Sequence, residues 1–238
     1  MRKVKDLKIK LFMDGAEIAA MKKLYVEGVA KGFTTNPTLM RKAGITDYAA
    51  FAKEAIKAIP DLPISFEVFS DSLDAMEREA RIIRSWGGNT YVKVPVTNTK
   101  SESTAPLIKK LAADGIPLNV TAILTVDQVK TVAAALDPKT PSIVSVFAGR
   151  IADTGVDPVP LMTECVRILK PNRTAELLWA SPRELLNVFQ AEDCGCHIIT
   201  ATPDVLAKLA LVGKDLTGYS LETVKMFYGD AQAAGFKL

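Results

Sequence analysis

The chain has 238 residues, 48% of them hydrophobic and 24% charged, with a formal net charge of +3. That composition excludes a disordered or low-complexity protein and is enough to bury a sizeable core. The small charge, with no basic run interleaved with aromatics, does not suggest a nucleic-acid partner, and no apolar stretch reaches the roughly 18 residues of a membrane span.

Apolar runs alternate with amphipathic ones from end to end. The spacing predicts strands at Lys8–Asp14, Gly32–Asn36, Ile64–Ser70, Thr90–Val96, Leu118–Leu124, Ser142–Phe147, Ala175–Ser181 and Cys196–Ala201. Between them lie helices. Leu73, Met76, Ala80 and Ile83 fall on one face of a helix that Gly87-Gly88 ends. Thr125 and Gln128 form a capping box, and Asp157-Pro158 opens a helix that Pro171 closes. Eight β-then-α units with no linker predict one (β/α)8 TIM barrel over residues 1–219. A doubly wound sheet is the alternative, though no G-x-G-x-x-G follows the first strand. Residues 220–238 add a C-terminal helix and tail to the same domain, with Leu221, Val224, Phe227 and Ala231 along one side. Such a helix either covers one end of the barrel or packs on another subunit.

The fourth strand is the most informative stretch. Lys93 lies between Val92 and Val94 in a run buried on both faces. A buried ammonium is costly, and the usual response is a lowered pKa. A neutral amine attacks carbonyl carbon, the first step of Schiff-base catalysis. The alternative is a strand-end lysine whose tip reaches water.

A barrel places its chemistry at the C-terminal ends of its strands. There the sequence supplies Asp14, Asn36, Glu67, Lys93, Thr121, Ser145 with Phe147, and Ser181. Inward Asp, Glu and Thr around a Lys suit a Schiff-base site, which must move protons while a carbon–carbon bond breaks. Ser181-Pro182-Arg183-Glu184 reads as a capped helix start, and its free N–H groups beside Arg183 would make an anion site. Arg150 offers a second guanidinium. An ordinary capped helix with a solvated arginine is the plainer reading.

Three cysteines are too few for a disulfide framework, and the basic N-terminus lacks the apolar core of a signal peptide. Both fit a cytoplasmic protein. Cys194-Gly195-Cys196 could be half a metal site, but no second cluster completes it. A structural loop is the reading taken, and no metal or other cofactor is expected.

Six segments together resemble the transaldolase and fructose-6-phosphate aldolase family. They are L-F-M-D at Leu11–Asp14, T-T-N-P at Thr34–Pro37, V-K-V-P-V-T at Val92–Thr97, G-I-P-L-N-V-T at Gly115–Thr121, S-V-F-A-G-R-I at Ser145–Ile151 and A-S-P-R at Ala180–Arg183. The resemblance implies a metal-free, class I mechanism in a (β/α)8 barrel acting on small sugar phosphates. Lys93 matches the Schiff-base lysine and Asp14 the acid–base aspartate. Glu67 and Thr121 match the pair that holds a catalytic water. Asn36, Asn119, Ser145 and Ser181 match sugar contacts, with Thr35 and Phe147 beside them, and Arg150 and Arg183 match phosphate-binding arginines. The aldolase branch carries Gln at position 67 and Tyr at position 147, so Glu67 and Phe147 imply a transaldolase rather than a lyase releasing free dihydroxyacetone. Gly15, Thr38 and the bulky Trp179 depart from the family pattern and bear on the choice of sugar. A homo-oligomer, pentameric or decameric, is also implied. A catalytically silent sugar-phosphate-binding barrel is the reading from another class.

Overall fold

Eight short runs rich in β-branched and apolar residues form the strands β1 (Lys10–Asp14), β2 (Gly32–Thr34), β3 (Ile64–Glu67), β4 (Thr90–Pro95), β5 (Leu118–Ile123), β6 (Ser142–Val146), β7 (Ala175–Trp179) and β8 (Ile198–Ala201). In this computed structural model every strand pairs in parallel with the next, and β1 closes the circle on β8. Closure removes the doubly wound alternative. The structure describes residues 3–237 and separates into two units, Lys8–Leu206 and the two chain ends.

The barrel's helices are α1 (Ile18–Val26), α2 (Pro37–Lys42), α3 (Tyr48–Ala58), α4 (Leu73–Ser85), α5 (Ala105–Ala113), α6 (Val126–Ala135), α7 (Ala148–Asp153), α8 (Pro158–Leu169) and α9 (Leu186–Asp193). A short α10 (Pro203–Ala207) follows β8. Local chemistry sets their ends. The Thr125–Gln128 box forms as read: Thr125 Oγ1 accepts from Gln128 N at 3.2 Å, and Gln128 Oε1 accepts from Thr125 N at 3.1 Å. Asp157 caps α8 and Ser72 caps α4, contacts worth about 1 kcal/mol each. α4 buries Met76, Ala80 and Ile83 and stops before Gly87 and Gly88, both at positive φ. β2 is shorter than expected because Asn36 leaves it to cap α2, its Oδ1 accepting from Leu39 N at 3.0 Å.

Alternate side chains along each strand point into the barrel. Phe12, Ile143, Leu178, Ala180 and Ile198 form one apolar layer, against which Tyr91 and Phe147 pack. Phe12 fits because residue 32 is glycine; a Cβ there would lie 2.3 Å from the ring. At the N-terminal end of the strands, Lys10 and Glu176 pair across β1 and β7 at 2.7 Å. Asp14, Glu67, Lys93 and Ser145 lie at the opposite, C-terminal end. Trp179 takes the other face of β7: it is fully buried and Ala180, not Trp179, faces the mouth. The expected effect of its bulk on the sugar has no direct contact to act through.

One local expectation fails. No helix starts at Ser181–Glu184; α9 begins at Leu186. An N-cap needs an extended backbone, whereas Ser181 has φ +57. Its carbonyl is packed so closely on Gly149 that a Cβ at residue 149 would lie 1.5 Å from it. Asn187 Oδ1 instead takes the N–H groups of Arg183 and Glu184, at 2.7 and 3.1 Å. Ser181 is therefore a strained corner, not a cap.

In the unit of chain ends, α11 runs Leu216–Ala234, from an Asp215 cap to Gly235 at φ +68. That cap starts the helix four residues ahead of the expected Ser220. Its Leu221, Val224 and Phe227 are exposed. Among the described residues no helix is long and apolar enough to cross a membrane.

Candidate active site

The C-terminal ends of the strands enclose a cavity of about 390 Å³. Asp14, Asn36, Glu67, Lys93, Thr121, Ser145, Phe147, Arg150 and Ser181 line it. Thr35, Asn119 and Arg183 do not.

Lys93 is only 6% exposed and faces Glu67 across the β3–β4 ladder. Its Nζ donates to the Thr35 carbonyl at 3.0 Å and lies 3.1 Å from Glu67 Oε2. The Thr35 carbonyl is available because β2 has already ended. Thr35 itself is fully buried, its Oγ1 donating to Ser65 O at 2.9 Å. The end of β2 also leaves the Glu67 amide without a neighbouring strand. Tyr48, at the start of α3, replaces it: its hydroxyl accepts from Glu67 N at 2.7 Å and donates to Glu67 O at 3.1 Å. Burial pushes the Tyr48 pKa up, which keeps that hydroxyl protonated, and edge-on contacts with Phe66 and Trp86 fix the ring.

Asp14 ends β1. Thr34 Oγ1 donates to its Oδ1 at 2.8 Å, and Asn36 Nδ2 faces its Oδ2 at 3.4 Å. Because Asn36 Oδ1 is engaged as the α2 cap, the amide group must be the part aimed at Asp14. Burial raises the Asp14 pKa, opposed by the Lys93 charge and by the Thr34 and Asn36 hydrogen bonds.

β5 breaks register between Val120 and Ile123, and Ala122 sits at φ +61, an uncommon conformation for a side-chain-bearing residue. Beside it, Thr121 Oγ1 is buried with no hydrogen-bond partner among the described residues, although Thr121 lines the cavity. A buried hydroxyl left unsatisfied costs about 1–3 kcal/mol. Asn119 lies deeper. Its Oδ1 accepts from Ser145 Oγ at 2.7 Å and its Nδ2 donates to Ser65 Oγ at 2.9 Å, so both ends of the amide are engaged within the barrel. Its place in the structure is beneath the cavity, where it orients Ser145.

The two arginines differ. Arg150 lines the cavity with its Cζ 4.9 Å from the Phe147 ring centre. Arg183 is half exposed and held by Asp153, with Nε 2.9 Å from Oδ1 and Nη2 on Oδ2. Sequence reasoning missed Thr34, Ala122, Ala180 and Thr200 as lining residues. Period-two alternation along β7 and β8, in which Ala180 follows Leu178 and Thr200 follows Ile198 on the same face, could have found Ala180 and Thr200; the β5 bulge left no signal.

Among the described residues no group of three or more His, Cys, Asp or Glu could hold a metal ion. Cys194 and Cys196 lie buried with sulfurs 3.4 Å apart in the loop before β8, and burial pushes the Cys165 thiol up to about 12.

Fold and site together define a (β/α)8-barrel enzyme with a lysine and two carboxylates at the mouth. Residues 11–238 match the family model Transaldolase/Fructose-6-phosphate aldolase. The "Probable transaldolase 2" of Listeria monocytogenes is 34% identical over 215 residues, 89% of this chain and 94% of that protein. The "Probable transaldolase" of Streptococcus pyogenes serotype M1 is 37% identical over 206 residues, 84% and 90% of the two chains. In fold alone, dihydrodipicolinate synthase from Rhodopseudomonas palustris is similar, with TM-score 0.51 and 16% identity over 94% of this chain and 79% of that one. The chain belongs to the transaldolase/fructose-6-phosphate aldolase family.

Proposed function

We propose that the protein is a transaldolase, moving a three-carbon dihydroxyacetone unit from a ketose phosphate such as fructose 6-phosphate to an aldose phosphate through an imine on Lys93. The observation that carries this reading is the buried Lys93 amine, 3.1 Å from Glu67 in the cavity that Asp14 also lines. Glu67 is placed to take the proton that the amine must lose before it attacks the ketose carbonyl. The carbinolamine then expels water with a proton returned from the Glu67 side, where the unpartnered Thr121 hydroxyl can hold that water. Asp14 takes the proton of the neighbouring hydroxyl as the carbon–carbon bond breaks, leaving an enamine on Lys93. Attack on a second aldehyde, with the proton returned by Asp14, reverses these steps.

Asn36, Ser145 and Ser181 offer hydrogen bonds to the sugar, and Arg150 offers charge to its phosphate. Arg183 reaches the phosphate only by leaving Asp153. Phe147 favours transfer over release, since a phenyl wall supplies no proton to the enamine. Incubation with fructose 6-phosphate, with and without erythrose 4-phosphate, tests the function. Turnover should require the acceptor, and borohydride with the ketose alone should leave a reduced adduct on Lys93. Trapping on another lysine, or none, would refute the mechanism.

A further inference from the structure

Asp14 is the end of a chain of hydroxyls that starts on the far side of β1. Thr200, on β8, and Thr34, on β2, flank that strand, and their Oγ1 atoms are 2.6 Å apart. Thr34 Oγ1 is also 2.8 Å from Asp14 Oδ1. Either threonine could donate in the first contact, but a carboxylate can only accept, so the single Thr34 proton belongs on Asp14. The proton between the threonines must then come from Thr200. Both hydroxyls are buried, Thr34 at 3% and Thr200 at 5% exposure, so bulk water does not compete for them.

We propose that Thr200 is a positioning residue for Asp14: by donating to Thr34 it fixes the Thr34 proton on Oδ1, so that Oδ2, held only by the longer 3.4 Å contact from Asn36 Nδ2, is the oxygen that exchanges protons with the substrate. The proposal rests on Asp14 being the acid–base group. Hydrogen bonds in series polarise one another, so the Thr200 donation strengthens the Thr34–Asp14 bond and favours the ionised carboxylate. The charged groups acting on Asp14 are Lys93 from β4 and Glu67 from β3, with Arg150 in the same cavity. β2 and β8 carry no charged residue, so the hydroxyl chain is the influence these two strands exert.

Thr200→Val keeps the shape and deletes the donor, Thr200→Ser restores the donor, and Thr200→Ala makes the same deletion should the valine variant not fold. The direct readout is the carboxyl carbon titration of Asp14 in protein labelled with carbon-13 aspartate, without substrate. Its midpoint should move to higher pH in Thr200→Val and return in Thr200→Ser. In kcat/KM profiles, the loss in Thr200→Val on the acid side should exceed the loss at the plateau by about three- to tenfold, the worth of one hydrogen bond. A midpoint that stays put in Thr200→Val, or moves equally in Thr200→Ser, overturns the proposal. Because the titration needs no turnover, it separates this result from failure of the catalytic reading, which Asp14→Asn kinetics would expose.

Discussion

The guanidinium of Arg150 lies over the ring of Phe147, 4.9 Å from its centre. Stacking holds an arginine by its face and leaves its N–H edge for an anion, unlike the grip of Asp153 on Arg183. Arg150→Ala should lower kcat/KM for phosphorylated substrates about ten- to a hundredfold, the cost of a lost charge-assisted contact. Dihydroxyacetone itself should be spared. Arg183→Ala should act in the same direction but less strongly, because Arg183 must first leave Asp153. Equal losses with and without phosphate would make both arginines structural.

On the proposed mechanism Phe147 should also decide the fate of the enamine. Phe147→Tyr places a hydroxyl, and so a proton donor, at the wall of the cavity with little change in volume. The variant should fold normally and release dihydroxyacetone without an acceptor faster than the parent, with transfer lower or unchanged. The ratio of the two rates in parent and variant measures this; rapid release by the parent and no rise in the variant would assign the chain to the aldolase reading.

Asp14 should make activity and stability pull apart with pH. Its pKa in the fold lies above its unfolded value, chiefly through burial. The stability it contributes is therefore complete below the unfolded value and is lost as pH rises through the folded one. Asp14→Asn, which cannot ionise, should have a higher Tm than the parent at pH 7, a gap closing as the pH falls below the ordinary carboxylate range. Thermal melts across pH test the sign, and a gap that widens in acid would contradict it. Transfer activity should collapse at every pH.

Tyr48 holds Glu67 through backbone contacts at 2.7 and 3.1 Å. Tyr48→Phe leaves the Glu67 amide unpaired, at a cost of roughly 1–3 kcal/mol. We expect a lower Tm and slower borohydride trapping on Lys93, because the carboxylate beside the amine loses its anchor. Trapping at the parental rate would confine Tyr48 to folding.

How much of this was written in the chain depends on the range of the interaction. Strand centres, the Thr125–Gln128 box and the Asp157 cap were legible because period-two alternation and capping are contacts within a few residues. Lys93 was legible for a related reason: a charge inside an apolar strand is an anomaly in any fold. The family motifs then assigned roles to residues that spacing could not. What the sequence left open was settled by contacts between distant segments. Ser181 has the residue types of a helix start, yet the approach of Gly149 puts it in a left-handed corner. Asn119 reads as a sugar contact from its motif, and only the tertiary structure shows that Ser145 and Ser65 hydrogen-bond to its amide. Alternation along β8 could place Thr200 on the inward face but could not name its partner: it meets Thr34, 166 residues away in sequence, only because β8 closes on β1. Closure of the sheet is a cooperative outcome of packing, and no local pattern encodes which side chains it brings together.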